Sequence, residues 1–253
     1  MMIFLNPENR TLLYAIIGHI WNDERMPNKL NESIVAVLEK AGKDSGKVEN
    51  WRPVALIELV VKVISRIIYN RLKEKYEATM SESQGGFRSN RRGTDNVLTL
   101  RLVQEFLKIN KKTGFAFCAL DLKQAFDSLN REFMFSVLHH YGIPEKEIRI
   151  IKALYENHTY TVRRDGKMHD KSSKSLRGVK QGCSLSPMLW NFCLNYLLSK
   201  ANFGEGVNLV HCHNWKNMTG EEQEEIANNL DRSLTHLLFA DDIVILAPNR
   251  DAL

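Results

Sequence analysis

An α+β fold is predicted for this 253-residue chain from three observations. Apolar residues recur at helical spacing in separate runs, while short apolar runs bounded by turn residues read as strands. After residue 115 the order is strand, acid, helix, helix, hairpin. A hydrophobic share of 43% and a charged share of 26% are those of a chain that buries a core, in one large domain or two smaller ones.

Taken in order, Asn6-Pro7-Glu8 predicts a helix start with proline at the first helical position, and Leu12, Leu13, Ile16, Ile17 and Ile20 form its apolar face. Met26-Pro27 ends it. Residues 33–38 and 54–57 read as the strands of a hairpin whose loop, KAGKDSGKVENWR, carries positive charge. Leu59, Val63, Ile67 and Leu72 predict a helix to about Lys75, followed by the glycine-rich basic loop SQGGFRSNRRG. Thr94 is placed to cap a helix running to about Asn110. The apolar run Phe115–Leu120 is short enough for a buried strand and delivers Asp121 at its end. Asn130 precedes a helix and Pro144 starts another, residues 159–171 around Asp165-Gly166 read as a hairpin, and Ser186-Pro187 opens an apolar helix through Leu198. Residues 201–232 are polar and read as an irregular insert.

Net charge is +5, which permits a polyanionic partner without demanding one. Its distribution says more. Seven basic residues lie between Arg163 and Lys180 against two acids, and residues 84–112 are similarly biased, as a phosphate-binding surface would be. Four cysteines show no CxxC spacing, so a reducing, intracellular compartment is expected rather than secretion. His211-Cys212-His213 has the composition of a metal cluster, but adjacent residues do not readily face one ion. The start of the chain lacks the basic and apolar regions of a signal peptide. Glu58, Lys62 and Arg66 interrupt the longest apolar segment, so no membrane partner is expected.

The chemistry concentrates in SLTHLLFADDIVILAP, residues 233–248. Apolar runs 234–240 and 243–247 flank Asp241 and Asp242 and predict a hairpin with both acids at its tip. Two carboxylates about 4 Å apart repel by roughly 4 kcal/mol at an effective dielectric of 20, a cost that a divalent cation or a proton relieves. An ordinary Asp-Asp turn between core strands is the competing reading. Asp121 tips the balance: if its strand lies beside the hairpin, the acids reach one edge and suit two divalent ions about 3.5–4 Å apart.

Three motifs occur in order: FCALDLKQAFDSLNR (117–131), RGVKQGCSLSPMLWNF (177–192) and LLFADDIVIL (237–246). Together they resemble the palm motifs of reverse transcriptases of the non-LTR (LINE-type) retrotransposon group. ENWRPVALIELVVKVISRIIYNRL (49–72) and SQGGFRSNRRGTDN (83–96) resemble the same group's finger motifs. The resemblance implies a right-hand polymerase fragment, its antiparallel palm sheet packed on helices and its thumb missing. Fingers are expected at 1–112, palm at 113–169, a fingers/palm loop and helix at 170–200, and truncated palm at 201–253.

It also implies roles. Asp121 and Asp241 would hold the metal, two Mg²⁺ ions with Mn²⁺ as an alternative, assisted by the Leu122 carbonyl and by Asp242 beside them. Phe126 matches the aromatic gate that excludes a 2′-hydroxyl, with ordinary core packing as the plainer reading. Lys40 and Arg52 match the residues that hold the nucleotide triphosphate, where a guanidinium fork pairs two oxygens and an ammonium acts as a point charge. Gln181 and Gly182 match the loop beside nucleotide and template. Arg88, Arg91 and Arg92 would contact template phosphates. Partners implied are an RNA template, a DNA or RNA primer and a dNTP. A catalytically silent RNA-binding remnant is one alternative, and an RNA-dependent RNA polymerase is another that Phe126 and FADD disfavour.

Overall fold

The computed structural model describes residues 6–42, 44–47, 50–109, 115–164, 166–204, 206–208 and 233–252. The chain divides into two compact units: residues 1–80 with 124–197, and residues 81–123 with 198–253. Residues 81–112 group with the acid-bearing strands, and residues 124–169 group with the N-terminal segment.

The first unit opens with α1 (Pro7–Asp23), whose N-cap Asn6 accepts a hydrogen bond from the Asn9 amide at 2.8 Å, with proline in the first turn as predicted. A 3₁₀ turn (Asn28–Asn31) leads into β1 (Glu32–Glu39), which pairs antiparallel with β2 (Trp51–Leu56). After α2 (Leu59–Thr79), the chain returns to this unit through a one-turn α4 (Ala125–Ser128), then α5 (Arg131–His140) and α6 (Glu145–Tyr155). The expected hairpin follows as β4 (Thr159–Arg164) and β5 (Lys167–Lys174). β4 lies parallel to β1, giving a four-stranded mixed sheet in the order β2-β1-β4-β5.

Helix α7 (Ser186–Lys200) runs as Ser186-Pro187 predicts, and its first nine residues are almost entirely buried. Phe192 meets the Tyr76 ring edge-on at 5.5 Å, and both are fully buried. Around them α2, α5 and α6 supply Ile64, Ile68, Met134, Leu138, Ile150 and Ile151, all at or near zero exposure. That core is helix against helix.

The second unit holds α3 (Gly93–Ile109) and an antiparallel sheet. Strands β3 (Ala116–Asp121), β8 (His236–Phe239) and β9 (Asp242–Ala247) run in the order β3-β9-β8, beside a two-residue ladder of β6 (Val207–Asn208) and β7 (Ser233–Leu234). Val103 and Leu107 of α3 pack with Val207, Leu237 and Leu246 to form the core of this unit. Helix α3 begins one residue before Thr94, and its first turn is closed by the Asp95 carboxylate accepting from the Arg92 amide at 2.8 Å. Most of the 201–232 insert, with His211-Cys212-His213, lies outside the described residues. Among the described residues no helix is long and apolar enough to cross a membrane.

Candidate active site

Asp121 is the last residue of β3 and Asp242 the first of β9, and the register sets them directly opposite each other. Directly paired residues share a face, with Cα atoms about 4.5–5.5 Å apart. The turn lies one residue earlier than the apolar runs suggest. Phe239 pairs with Asp242, so the two-residue loop is Ala240-Asp241, and the partner facing Asp121 is Asp242 rather than Asp241. Ala240 has φ 61°, in the left-handed region that an L-residue rarely adopts, and Asp241 is not among the positive-φ residues. Glycine is the usual residue there; alanine requires outside support.

Asp121 and Asp242 are exposed and Asp241 is half-buried. Among the described residues no group of three or more His, Cys, Asp or Glu side chains is placed to hold a metal ion by itself. A hard cation such as Mg²⁺ takes one or two carboxylates and fills its remaining positions with water and substrate phosphates, so the facing pair with Asp241 beside it suits that class of ion.

The three arginines of the basic loop divide. Arg88 is drawn inward: its side chain is 6% exposed, it donates to the Ser81 carbonyl at 2.8 Å, and Glu82 lies 3.7 Å away. Arg91 pairs with Glu82 at the surface. Arg92 is exposed and presents its side chain outward from the start of α3.

The other expected residues belong to the first unit. Arg52 sits opposite Leu38, and the Lys40 amide donates to the Asn50 carbonyl at 2.9 Å, extending the β1–β2 ladder by one step. Strand parity then puts Lys40 and Arg52 on one face. Gln181 is fastened to the same strand pair, because its carbonyl accepts from the Ala55 amide at 2.8 Å. Gly182 follows with φ +107°, and a Cβ there would come within 2.9 Å of the Ala55 carbonyl oxygen, so the close approach requires glycine.

The Gln181 side chain donates to Asp127 at 2.8 Å. Burial pushes the Asp127 carboxyl above its ordinary value, and this hydrogen bond pulls it partly back. A cavity of about 420 Å³ opens here, lined by Gln181, Asp127, Lys180, Tyr160, Pro53 and Ala55 among others. Phe126 is half-buried and stacks on Trp190.

Two further residues fix local backbone, Arg131 in the first unit and Gln84 in the second, each through partners distant in the chain. Arg131 donates to the carbonyls of Gly178 (2.9 Å), Ser175 (2.6 Å) and Arg177 (3.1 Å), tying down the loop that leads to Gln181. Gln84 hydrogen-bonds the Ala240 turn. The one available hint for Gln84 is the pair of glycines after it, which marks a close backbone approach.

The family described as "Reverse transcriptase (RNA-dependent DNA polymerase)" matches residues 38–253. The chain is 26% identical over 243 residues to the "Retrovirus-related Pol polyprotein from type-1 retrotransposable element R2" of Popillia japonica, covering 96% of this chain and 30% of that protein. It is 32% identical over 189 residues to the "RNA-directed DNA polymerase from mobile element jockey" of Drosophila funebris, covering 72% of this chain and 20% of that protein. Among solved structures, apo telomerase from Candida tropicalis truncated from its C-terminal domain superposes with a TM-score of 0.55 at 15% identity, over 95% of this chain and 49% of that one. At that identity the likeness is one of fold. The chain therefore spans less than a third of the length of these two curated relatives.

Proposed function

Given that this chain belongs to the reverse transcriptase family, in its non-LTR retrotransposon group, we propose that it forms the nucleotidyl-transfer region of an RNA-directed DNA polymerase. The family generally uses divalent metal ions. The observation that carries the reading is the register pairing of Asp121 with Asp242, with Asp241 in the adjoining turn.

In this reading Asp121, Asp241 and Asp242, with the Leu122 carbonyl, would hold two Mg²⁺ ions, and β3, β8 and β9 are the palm. Bound there, such ions would supply a lowered pKa at the primer 3′-hydroxyl and a counter-charge for the departing pyrophosphate. Arg52 pairs two phosphate oxygens of the incoming dNTP through its planar fork, and Lys40 adds a mobile positive charge. Phe126 lies against the sugar and excludes a 2′-hydroxyl, while Gln181 and Gly182 bring backbone close to nucleotide and template. Arg91 and Arg92 reach template phosphates. Arg88 holds the loop that presents them.

Primer extension on poly-rA with oligo-dT, dTTP and Mg²⁺ tests this. Incorporation is expected from the chain and is expected to vanish in Asp121→Asn, with RNA affinity within about threefold because phosphate contacts, not this acid, supply it. Equal incorporation by Asp121→Asn overturns the assignment. RNA binding without any incorporation by the unmodified chain would point instead to a silent RNA-binding segment.

A further inference from the structure

We propose that Gln84 is a positioning residue for the acidic turn: its side-chain amide holds Ala240 in the left-handed conformation and thereby sets Asp241 and Asp242 against Asp121. This inference rests on the reading of those acids as metal ligands. Gln84 is 2% exposed, and its Oε1 accepts from the Ala240 amide at 3.0 Å and from the Gly86 amide at 2.8 Å. Its Nε2 donates to the Ala240 carbonyl at 3.3 Å. One side chain thus satisfies both backbone groups of the one turn residue whose φ is positive. Only a primary amide carries an acceptor and a donor spaced for that task.

The backbone around Gln84 reinforces the clamp. The Leu238 amide donates to the Ser83 carbonyl at 2.9 Å, and the Gly85 amide donates to the Leu238 carbonyl at 2.8 Å, so residues 83–85 lie along β8 as a short parallel bridge. Asn96 adds a bond to the same Leu238 carbonyl at 2.8 Å. A Cβ on Gly86 would fall 2.1 Å from the Ala240 nitrogen, so no other residue permits this approach. An L-residue resists positive φ, and rotation about Ala240 carries the next two residues with it. Those residues are Asp241 and Asp242, and misplacing reacting groups by about 1 Å costs on the order of a hundredfold in rate.

The test measures Mn²⁺ binding to the whole chain by the EPR signal of the free ion, with far-UV CD as the folding check. Asp121→Asn should raise the Mn²⁺ dissociation constant at least tenfold. Gln84→Leu should raise it at least fivefold, and adding Ala240→Gly to Gln84→Leu should restore it to within twofold of the unmodified chain, because glycine takes positive φ unaided. A folded Gln84→Leu chain that binds within twofold of the unmodified one, or a double variant no better than Gln84→Leu, overturns the proposal.

Should Gln84→Leu not fold, Gln84→Glu decides. It keeps the acceptor for both amides but loses the donor to the Ala240 carbonyl, so a rise in the dissociation constant smaller than that of Asp121→Asn is expected, and a loss equal to that of Asp121→Asn in a folded chain overturns the proposal. Hydrogen exchange over residues 238–243 reads the turn without metal. Gln84→Leu should speed it tenfold and Ala240→Gly should leave it unable to respond further. Unchanged Mn²⁺ binding in Asp121→Asn together with this exchange pattern would sink the metal reading and leave the clamp standing.

Discussion

Phe126 stacks on Trp190 with ring centroids 5.7 Å apart and planes inclined by 23°. Trp190 is buried on α7, so the ring proposed for sugar selection is backed by a large side chain and does not rest on backbone alone. Truncating the front ring should open the site to a 2′-hydroxyl. Phe126→Val is expected to lower the preference for dTTP over UTP at least tenfold in primer extension. Trp190→Leu should lower it less, because the gate remains but loses its support, and should also cost about 2–4 kcal/mol of stability from the cavity left behind. Unaltered sugar selectivity in Phe126→Val would return Phe126 to ordinary core packing.

Gly178 offers a test of the loop that carries Gln181. Its φ is +78°, and a Cβ there would lie 2.7 Å from the Asp127 carbonyl oxygen and 2.8 Å from that of Phe126. Gly178→Ala therefore combines a left-handed backbone with overpacking, and about 2–4 kcal/mol of destabilisation is expected. Urea unfolding measures it. Gly166, with φ +77° but nothing within 4 Å of its added Cβ, should lose only the conformational part, about 1–2 kcal/mol.

Local chemistry was legible in the sequence wherever a residue's partner is near in the chain. Asn130 caps α5 by accepting from the Phe133 amide at 3.0 Å, Asn6 caps α1, and the apolar run after Phe115 is a strand ending at Asp121, though half-buried or exposed along its length rather than buried. Non-local pairing was not legible. Nothing in periodicity shows that β4 lies parallel to β1 or that Gln84 supports Ala240 from 156 positions away. The turn was displaced by one residue for the same reason. Asp-Asp is the better turn pair by composition, and Ala240 occupies the first turn position only because a distant amide holds it there.

Arg88 and Arg92 share a motif, yet opposite outcomes are expected for them. Arg88→Ala removes hydrogen bonds to the half-buried carbonyls of Ser81 and Gln84 and should cost about 1–3 kcal/mol in urea unfolding. Arg92→Ala should leave stability within about 0.5 kcal/mol, weaken RNA binding and reduce the slope of log affinity against log salt by about 1. Fluorescence anisotropy of a labelled oligoribonucleotide over a salt series separates the two. A full salt slope in Arg92→Ala would remove it from the phosphate contacts.

His158 should make the first unit acid-sensitive. Its Nε2 lies 2.9 Å from the Ser33 hydroxyl, and among the described residues Nδ1 has no partner. Burial draws its pKa down to about 3, with the charges of Lys180 and Arg131 adding to the effect. In the unfolded chain the imidazole titrates near 6.5, so between pH 6.5 and 3 the unfolded state binds the proton that the folded state refuses. Stability from this group is complete above pH 6.5 and falls as pH drops toward 3. Lys180, drawn down to about 8 chiefly by burial, acts at the other end. Its unfolded form keeps a proton up to about 10.4, so its cost is full below pH 8 and is relieved as pH rises from 8 toward 10.4. His158→Gln, which carries no titrating group, should flatten the urea midpoint against pH between 6.5 and 4 while leaving the rise above pH 8 in place. A variant whose acid limb stays as steep as that of the unmodified chain would assign the sensitivity to the carboxylates instead.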